Sequence, residues 1–344
     1  MDRTRSAALI DEGQMNRSNQ ILWRLATLTL IAARGVVPCW ADEPAKAKTP
    51  PVPVVQPAAG KKPDNRQSVD LRPILQQWKL APRSQGGRGT CSVFALNAVI
   101  EYAVATKQQR GTRLSVEFLN WASNKAAGEA TDGGCFSKLW AGCAAHAVCP
   151  EADMPYADNF DPARKPNKKA IAAAAKIRAL GLRLHWIKQW DSSHGASDEQ
   201  IAEIKRTLRR RWPVCGGFLW PKNEGHWWKS GVLQKCPRRA VMDGHSIVLV
   251  GFRDDPTQPG GGVFLIRNSA GPSRDGMMTY DYVRAYLNDA AWIDFPGATK
   301  GGPRRQSPKP SPVKLSTPLA ELYPDATTVF KDSYSMTVDN REKL

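Results

Sequence analysis

The sequence predicts an α+β fold, in which a helical half is followed by a half built from antiparallel strands. Apolar residues recur at helical spacing through the first half, whereas short runs rich in β-branched and aromatic residues follow residue 210. The last two of these runs are separated by a turn rich in Gly, Asp and Pro. With 344 residues and a hydrophobic fraction of 42%, the chain is long enough to bury a core.

The first core helix is predicted to begin at Cys91. Over residues 92–105 the apolar side chains recur at helical spacing, and Thr90 stands in front of them as a candidate N-cap. Further helices are predicted over residues 115–122, 136–147, 168–180 and 198–210.

Strands are predicted over residues 214–219, 246–252 and 263–267. The last two flank the turn that contains Asp254, Pro256 and Gly260. We therefore expect these two strands to form an antiparallel hairpin.

The ends of the chain differ in composition from this globular part. Arg17 and Arg24 precede the short apolar run 25–33, and a small-x-small triplet ends at Ala41. This pattern predicts a signal peptide over residues 1–41, hence a secreted or periplasmic protein, with Met1 or Met15 as the start. The apolar run is too short for a stable membrane span.

The predicted domain order after the signal peptide is a Pro-rich linker at 42–68, a folded domain at 69–296, and a Pro- and Lys-rich linker and tail at 297–344. The net charge of +17 favours anionic surfaces non-specifically, and much of it lies in the Pro-rich ends. A nucleic-acid partner is not expected, because no binding motif or basic stripe interleaved with aromatics is present. We expect a monomer.

Six cysteines remain beyond the predicted cleavage site. In an oxidising compartment we expect a disulfide among Cys135, Cys143 and Cys149 rather than a zinc site that includes His146. No metal or cofactor is expected.

The segment 85–91 packs glycines into a turn that ends on the predicted helix. A cysteine at a helix N-terminus feels the positive end of the helix dipole, which favours the thiolate, the attacking form of the side chain. Cys91 is therefore a candidate nucleophile, although a lone cysteine is more often an inert buried thiol.

The predicted hairpin brings two further candidates together. His245 begins one strand and Asn268 ends its partner, so the Asn oxygen can accept from one imidazole nitrogen while the other nitrogen is aimed outward. Cys91, His245 and Asn268 then form a nucleophile, a base and a residue that orients the base.

These residues resemble the papain family of cysteine peptidases. Gln85 stands six positions before Cys91, like the family's oxyanion-hole glutamine, and Gly86, Gly89 and Phe94 match its motif. Val69 to Arg72 resembles the opening of the mature domain, and Pro155 with Tyr156 resembles a further landmark, so the similarity covers about residues 69 to 294.

The resemblance implies a two-lobed fold with the active site in the cleft between a helical lobe and an antiparallel sheet lobe. It also implies that Gly133 and Gly134 bind an extended peptide substrate through their backbone. Asp243 and Gly244, just before the base, are further substrate-binding candidates.

Three departures from the family pattern lie close to the chemistry. Arg88 stands where a disulfide-forming cysteine is usual, and Ser92 where a tryptophan follows the nucleophile. Ala270 replaces the tryptophan that shields the Asn and His pair, so we expect that pair to be more exposed and its hydrogen bond weaker. The short, Pro-rich stretch 42–67 does not resemble the family's helical pro-domain.

The sequence thus predicts a cysteine peptidase that acts on peptides or proteins. A transglutaminase-like or ligase-like acyl transferase and a peptide-binding pseudo-peptidase are the alternatives. His226, Trp227 and Trp228 are interpreted as packing residues rather than cleft residues, and His185 and His194 as surface or structural residues.

Overall fold

The structure is a computed structural model that describes residues 68–269 and 275–298, except for the side chain of Asp243. The predicted signal peptide, the linker before residue 68, the tail and Ala270 lie outside the described residues. Elements are numbered below in chain order.

Seven α-helices lie in the described residues: α1 Arg72–Gln77, α2 Cys91–Gln108, α3 Val116–Ala127, α4 Phe136–His146, α5 Lys168–Arg178, α6 Asp198–Arg209 and α7 Tyr280–Tyr286. The helices predicted from apolar spacing are confirmed, and α2 begins at Cys91 as expected. The side chain of Ser115 caps α3 by accepting from the Phe118 amide at 2.8 Å. Thr90 was wrongly predicted to cap α2, because its hydroxyl bonds to the Tyr156 hydroxyl at 2.7 Å instead.

Nine strands of the described residues form one sheet: β1 Ser68–Asp70, β2 Arg183–Lys188, β3 Val214–Pro221, β4 Trp228–Lys229, β5 Val232–Leu233, β6 Val241–Asp254, β7 Gly262–Arg267, β8 Gly276–Thr279 and β9 Leu287–Asp294. Their order is β2-β9-β3-β6-β7-β8-β5-β4, and β1 also pairs with β6. The pairs are antiparallel except β5 with β8.

The long strand β6 organises the sheet. Its first part pairs with β3, where Phe218 lies opposite His245, and its second part pairs with β1 and β7. The predicted β6–β7 hairpin is therefore confirmed, but the expectation that His245 begins its strand is wrong, because β6 pairs with β3 from Val241 onward. Its last ladder pair is Val248 with Arg267, so Asn268 is the first residue beyond the ladder and meets His245 diagonally rather than directly across.

Helix α2 forms the core contact between the helices and the sheet. Buried residues cover nearly its whole circumference, and it packs on β3, β6 and β9 as well as on α3 and α4. A second, smaller cluster around Phe118 and Met154 fills the helical half. The predicted α+β fold, with a helical lobe and an antiparallel sheet lobe, is thus what the structure has.

The expected disulfide among the helical-lobe cysteines is wrong. The six cysteines of the described residues are free. Cys143 and Cys149 are buried separately, one in each apolar cluster, and Cys135 is exposed in front of α4. Burial raises the pKa of both the Cys143 and the Cys149 thiol to about 12, so each packs as a small apolar group.

Among the described residues, no helix has the length and the apolar character that a bilayer crossing requires.

Candidate active site

Cys91 is the first residue of α2 and is half-buried, whereas most of the residues that follow it in the helix are buried. The helix is long enough for its aligned peptide dipoles to place partial positive charge at this end. The backbone amides of Ser92 and Ser246 also bond to the sulfur. The sulfur therefore lies where negative charge is stabilised.

His245 connects this thiol to Asn268. A side-chain hydrogen bond joins Cys91 and His245, and Nε2 of His245 lies 2.8 Å from Oδ1 of Asn268. Because Nε2 is engaged by the amide oxygen, Nδ1 is the nitrogen left for the sulfur. The same Asn268 oxygen accepts from the Ser269 amide at 2.8 Å, which fixes the side-chain amide in this orientation.

The pKa values of the two groups move in opposite directions. Burial raises the pKa of Cys91, but the hydrogen bond and the charge of His245 outweigh it and lower the pKa below its usual value. Burial lowers the pKa of His245, but bonding to Cys91 and Asn268 and the charges of Cys91 and Glu224 raise it above its usual value. Both shifts favour a thiolate–imidazolium pair at neutral pH.

Trp220 covers the imidazole from strand β3. Its buried ring packs edge-on against His245, with centroids 4.7 Å apart, and its indole N–H donates to Glu224 Oε2 at 2.6 Å. His245 is 9% exposed and Asn268 is 5% exposed. The expected exposure of this pair is therefore wrong, since a tryptophan from another strand lies against the base.

Gln85 lies in the loop before α2 and is held at both ends of its side-chain amide. Its Nε2 donates to the Arg88 carbonyl at 2.8 Å, and the Ser269 hydroxyl donates to its Oε1. Its backbone is held as well, by the Ser269 carbonyl at 2.6 Å and the Tyr156 hydroxyl at 2.9 Å. The second N–H of the amide has no bond to the described residues and remains available to a ligand.

Gly133 and Gly134, called the glycine strip below, lie against the loop that precedes α2. A Cβ at Gly133, whose φ is +102°, would lie 2.4 Å from the Gly89 carbonyl oxygen, so only glycine permits this backbone approach. The Gly133 amide donates to Asn120 Oδ1 at 3.0 Å, and the exposed Gly134 amide lies 3.4 Å from the Ser92 hydroxyl. Both amides thus donate within the protein, but Gly133 is buried whereas Gly134 is exposed to solvent.

The other residues considered from the sequence lie beside His245, in the core or at the surface. Gly244 is exposed next to His245, beside the backbone of Phe218. Trp227 and Trp228 pack against the main core, as interpreted from the sequence, and His226 is exposed. His185 stacks on Trp292 and bonds to Asp294, and His194 bonds to Asp191 at the surface.

No three His, Cys, Asp or Glu side chains of the described chain converge closely enough to hold a metal ion.

Cys91, His245 and Asn268 are thus joined by hydrogen bonds, and Gln85 is bonded to Ser269, the residue that follows Asn268. Against models of protein families, residues 66–288 match the papain family cysteine proteases, which is more than half of the chain. The chain belongs to the papain family. It is a cysteine peptidase, and its substrates are peptides or proteins.

Solved structures agree with this fold. Xylellain, a cysteine protease from Xylella fastidiosa, is 21% identical with a TM-score of 0.52, over 67% of this chain and 86% of its own. The proform of Amb a 11, a cysteine protease that is a major ragweed pollen allergen, is 18% identical with a TM-score of 0.51, over 74% of this chain and 64% of its own. A search of curated proteins found no match.

Sequence reasoning missed several residues around the papain-like site. Trp220, Glu224 and Ser269 contact His245, Trp220 and Gln85 respectively, but they carry no motif of their own. Ser269 directly follows Asn268, so its position in the chain was a usable signal. Trp220 becomes recognisable only once the pairing of β3 with β6 is known.

Proposed function

We propose that Cys91, His245, Asn268 and Gln85 carry out peptide-bond hydrolysis in this peptidase. The observation that carries the proposal is the continuous contact from the Cys91 sulfur through His245 to Asn268, whose neighbour Ser269 bonds to the Gln85 amide. The opposite pKa shifts of Cys91 and His245 support a preformed ion pair.

The reaction follows from this geometry. The Cys91 thiolate attacks the carbonyl carbon of the scissile bond, and the charge that develops on oxygen is stabilised by the Cys91 backbone amide and a Gln85 N–H. Protonated His245 donates its proton to the leaving amine as the C–N bond breaks. Water, deprotonated by His245, then attacks the thioester and releases the acid and the free thiol.

Asn268 orients the base in this scheme. Its amide oxygen accepts from Nε2, so it fixes the imidazole plane and stabilises the protonated ring without taking the proton. Gly133, Gly134, Asp243 and Gly244 flank the nucleophile and the base, and we assign them to substrate binding. The solvent-facing Gly134 is the strip residue best placed to pair with an extended peptide.

The test uses the mature protein and a library of denatured proteins. We expect cleavage by the native sequence, labelling of Cys91 by a thiol-directed epoxide, and neither with Cys91→Ala. Cys236→Ala, at a buried thiol away from the helix terminus, is the matched control and should retain both. Incorporation of an added amine instead of cleavage would identify an acyl transferase, and binding without either product a pseudo-peptidase.

We further propose that the protein is exported and acts as a monomer outside the cytoplasm. The support is the apolar run after Arg17 and Arg24 with the small-residue triplet that ends at Ala41. The basic Pro-rich segments would hold the enzyme near anionic surfaces, an attraction that salt should weaken. N-terminal sequencing of the protein from the extracytoplasmic fraction should begin at residue 42, and an intact N-terminus in the cytoplasm would refute export.

A further inference from the structure

The loop before the nucleophile contains a buried guanidinium that the catalytic scheme does not use. Arg88 is 6% exposed, although its neighbours Gly87 and Gly89 are open to solvent. Burying a charge is costly unless it is paired and hydrogen-bonded. The partners of this side chain therefore indicate why an arginine is kept here.

Arg88 binds two carboxylates at once. Its Nε and Nη2 donate to the two oxygens of Asp132 at 3.0 and 2.7 Å, and Nη1 donates to Glu117 Oε2 at 2.6 Å. Nη1 also donates to the Ala157 carbonyl at 2.8 Å, and the guanidinium lies over the Tyr156 ring, 4.4 Å from its centroid. The planar fork matches this arrangement, whereas a lysine cannot reproduce the two-point contact with Asp132.

The two carboxylates belong to different parts of the helical lobe. Asp132 immediately precedes the glycine strip, and Glu117 lies in the first turn of α3. The ion pairs therefore join the loop that precedes Cys91 both to the glycine strip, through Asp132, and to helix α3, through Glu117. The backbones of Gly89 and Gly133 are also in close contact. A shift of the loop would therefore displace the glycine strip as well.

The backbone of the same residue reaches the catalytic machinery. The Arg88 carbonyl accepts one N–H of the Gln85 amide at 2.8 Å. An amide nitrogen carries two hydrogens in a fixed plane, so the bond to Arg88 also fixes the direction of the second one. The Ser269 hydroxyl at Oε1 holds the other end of this amide.

We propose that Arg88 is a positioning residue for oxyanion stabilisation. Its side chain anchors the loop to Asp132 and Glu117, and its carbonyl thereby aims the free N–H of Gln85 at the oxygen that becomes negatively charged. The proposal rests on the role of Gln85 proposed above. Oxyanion stabilisation in this chain then depends on the ion pairs of Arg88 with Asp132 and Glu117. Unlike a disulfide, these ion pairs are not broken in a reducing environment.

The experiment compares two reactions of Cys91. Peptide-amide hydrolysis forms an oxyanion, whereas alkylation by iodoacetamide displaces iodide and forms none. With Arg88→Lys we expect kcat for the amide to fall about tenfold or more, since losing an oxyanion donor outright costs more. The alkylation rate should stay within about threefold, because the thiolate and His245 are untouched.

The matched control is Arg183→Lys. Arg183 makes a similar two-point contact with Asp294, at 2.8 and 2.9 Å, in the outer strands β2 and β9. Both rates should be unchanged in this variant. A parallel fall of hydrolysis and alkylation in Arg88→Lys, or no fall in either, would overturn the proposal.

Gln85→Ala, alone and combined with Arg88→Lys, separates this proposal from the role of Gln85. If Arg88 acts through Gln85, the double variant should lose no more kcat than Gln85→Ala alone. Additive losses overturn the Arg88 proposal and leave the role of Gln85 standing. An unchanged kcat in Gln85→Ala refutes both. If Arg88→Lys does not fold, Asp132→Asn removes the charge of one partner and carries the same expectations.

Discussion

The two sides of the catalytic cleft are held in place by different forces. On the helical side, the loop that carries Gln85 is fixed by charge, through the contacts of Arg88 with Asp132 and Glu117. On the sheet side, His245 is fixed by a neutral amide and an aromatic ring. The proposed oxyanion donor is thus held mainly through ion pairs, whereas the proposed base is held by burial and packing.

The largest effect is expected on the free energy of unfolding, at the contact between Gly133 and Gly89. Gly133→Ala should destabilise the fold by about 3 kcal/mol, because it combines a left-handed backbone conformation with overpacking against the Gly89 carbonyl. Thermal or urea unfolding measures the change. Gly128→Ala is the control, since Gly128 has a φ of +68° with nothing within 4 Å of the added Cβ, and should cost about 1 kcal/mol. Equal destabilisation by the two substitutions would mean that the close approach of Gly133 to the Gly89 carbonyl has no effect on stability.

A smaller effect is expected on the sheet side. Asn268→Ala removes a buried hydrogen bond to a charged ring, which is worth about 2 kcal/mol and corresponds to a loss of about thirtyfold in kcat. Alkylation of Cys91 should fall in parallel, because a misoriented imidazole no longer stabilises the thiolate. Asn223→Ala, at an exposed position, should change neither rate. Unchanged alkylation in Asn268→Ala would contradict the distinction between the two sides.

The smallest effect concerns pH. The rate constant kcat/KM should be bell-shaped, falling at low pH as Cys91 protonates and at high pH as His245 loses its proton. The charge of Glu224 raises the pKa of His245, so Glu224→Gln should lower that pKa and move the alkaline limb to lower pH, by less than about one unit. Glu203→Gln, on the surface of α6, should leave the profile unchanged. An alkaline limb that moves to higher pH would refute this assignment.

The sequence predicted the parts of the site that depend on local order. Helix α2 and the β6–β7 hairpin follow from periodicity and turn residues, and they bring Cys91, His245 and Asn268 to their positions. The family resemblance supplied Gln85. These predictions succeed for Cys91 and Asn268 because Cys91 begins α2 and Asn268 follows the last residue of β7, whereas His245 lies inside β6.

Tertiary proximity could not be predicted in the same way. Trp220 lies beside His245 only because β3 pairs with β6, and Arg88 meets Asp132 across 44 positions of sequence. Strand β9 was not predicted, since it contains buried polar residues such as Asn288 and Asp289. The disulfide prediction relied on compartment alone, whereas the packing of Cys143 and Cys149 into separate clusters decides their state.

Helix α2 limits how this enzyme can be altered. Because the sheet and two helices enclose it on nearly every side, its N-terminus cannot tilt or slide without repacking the whole interior. The sulfur is therefore a fixed reference point, against which the rims of the cleft are free to vary. Engineering a new side-chain preference should accordingly begin with exposed rim positions such as Gly134 and Gly244, and leave the eighteen residues of this helix as they are.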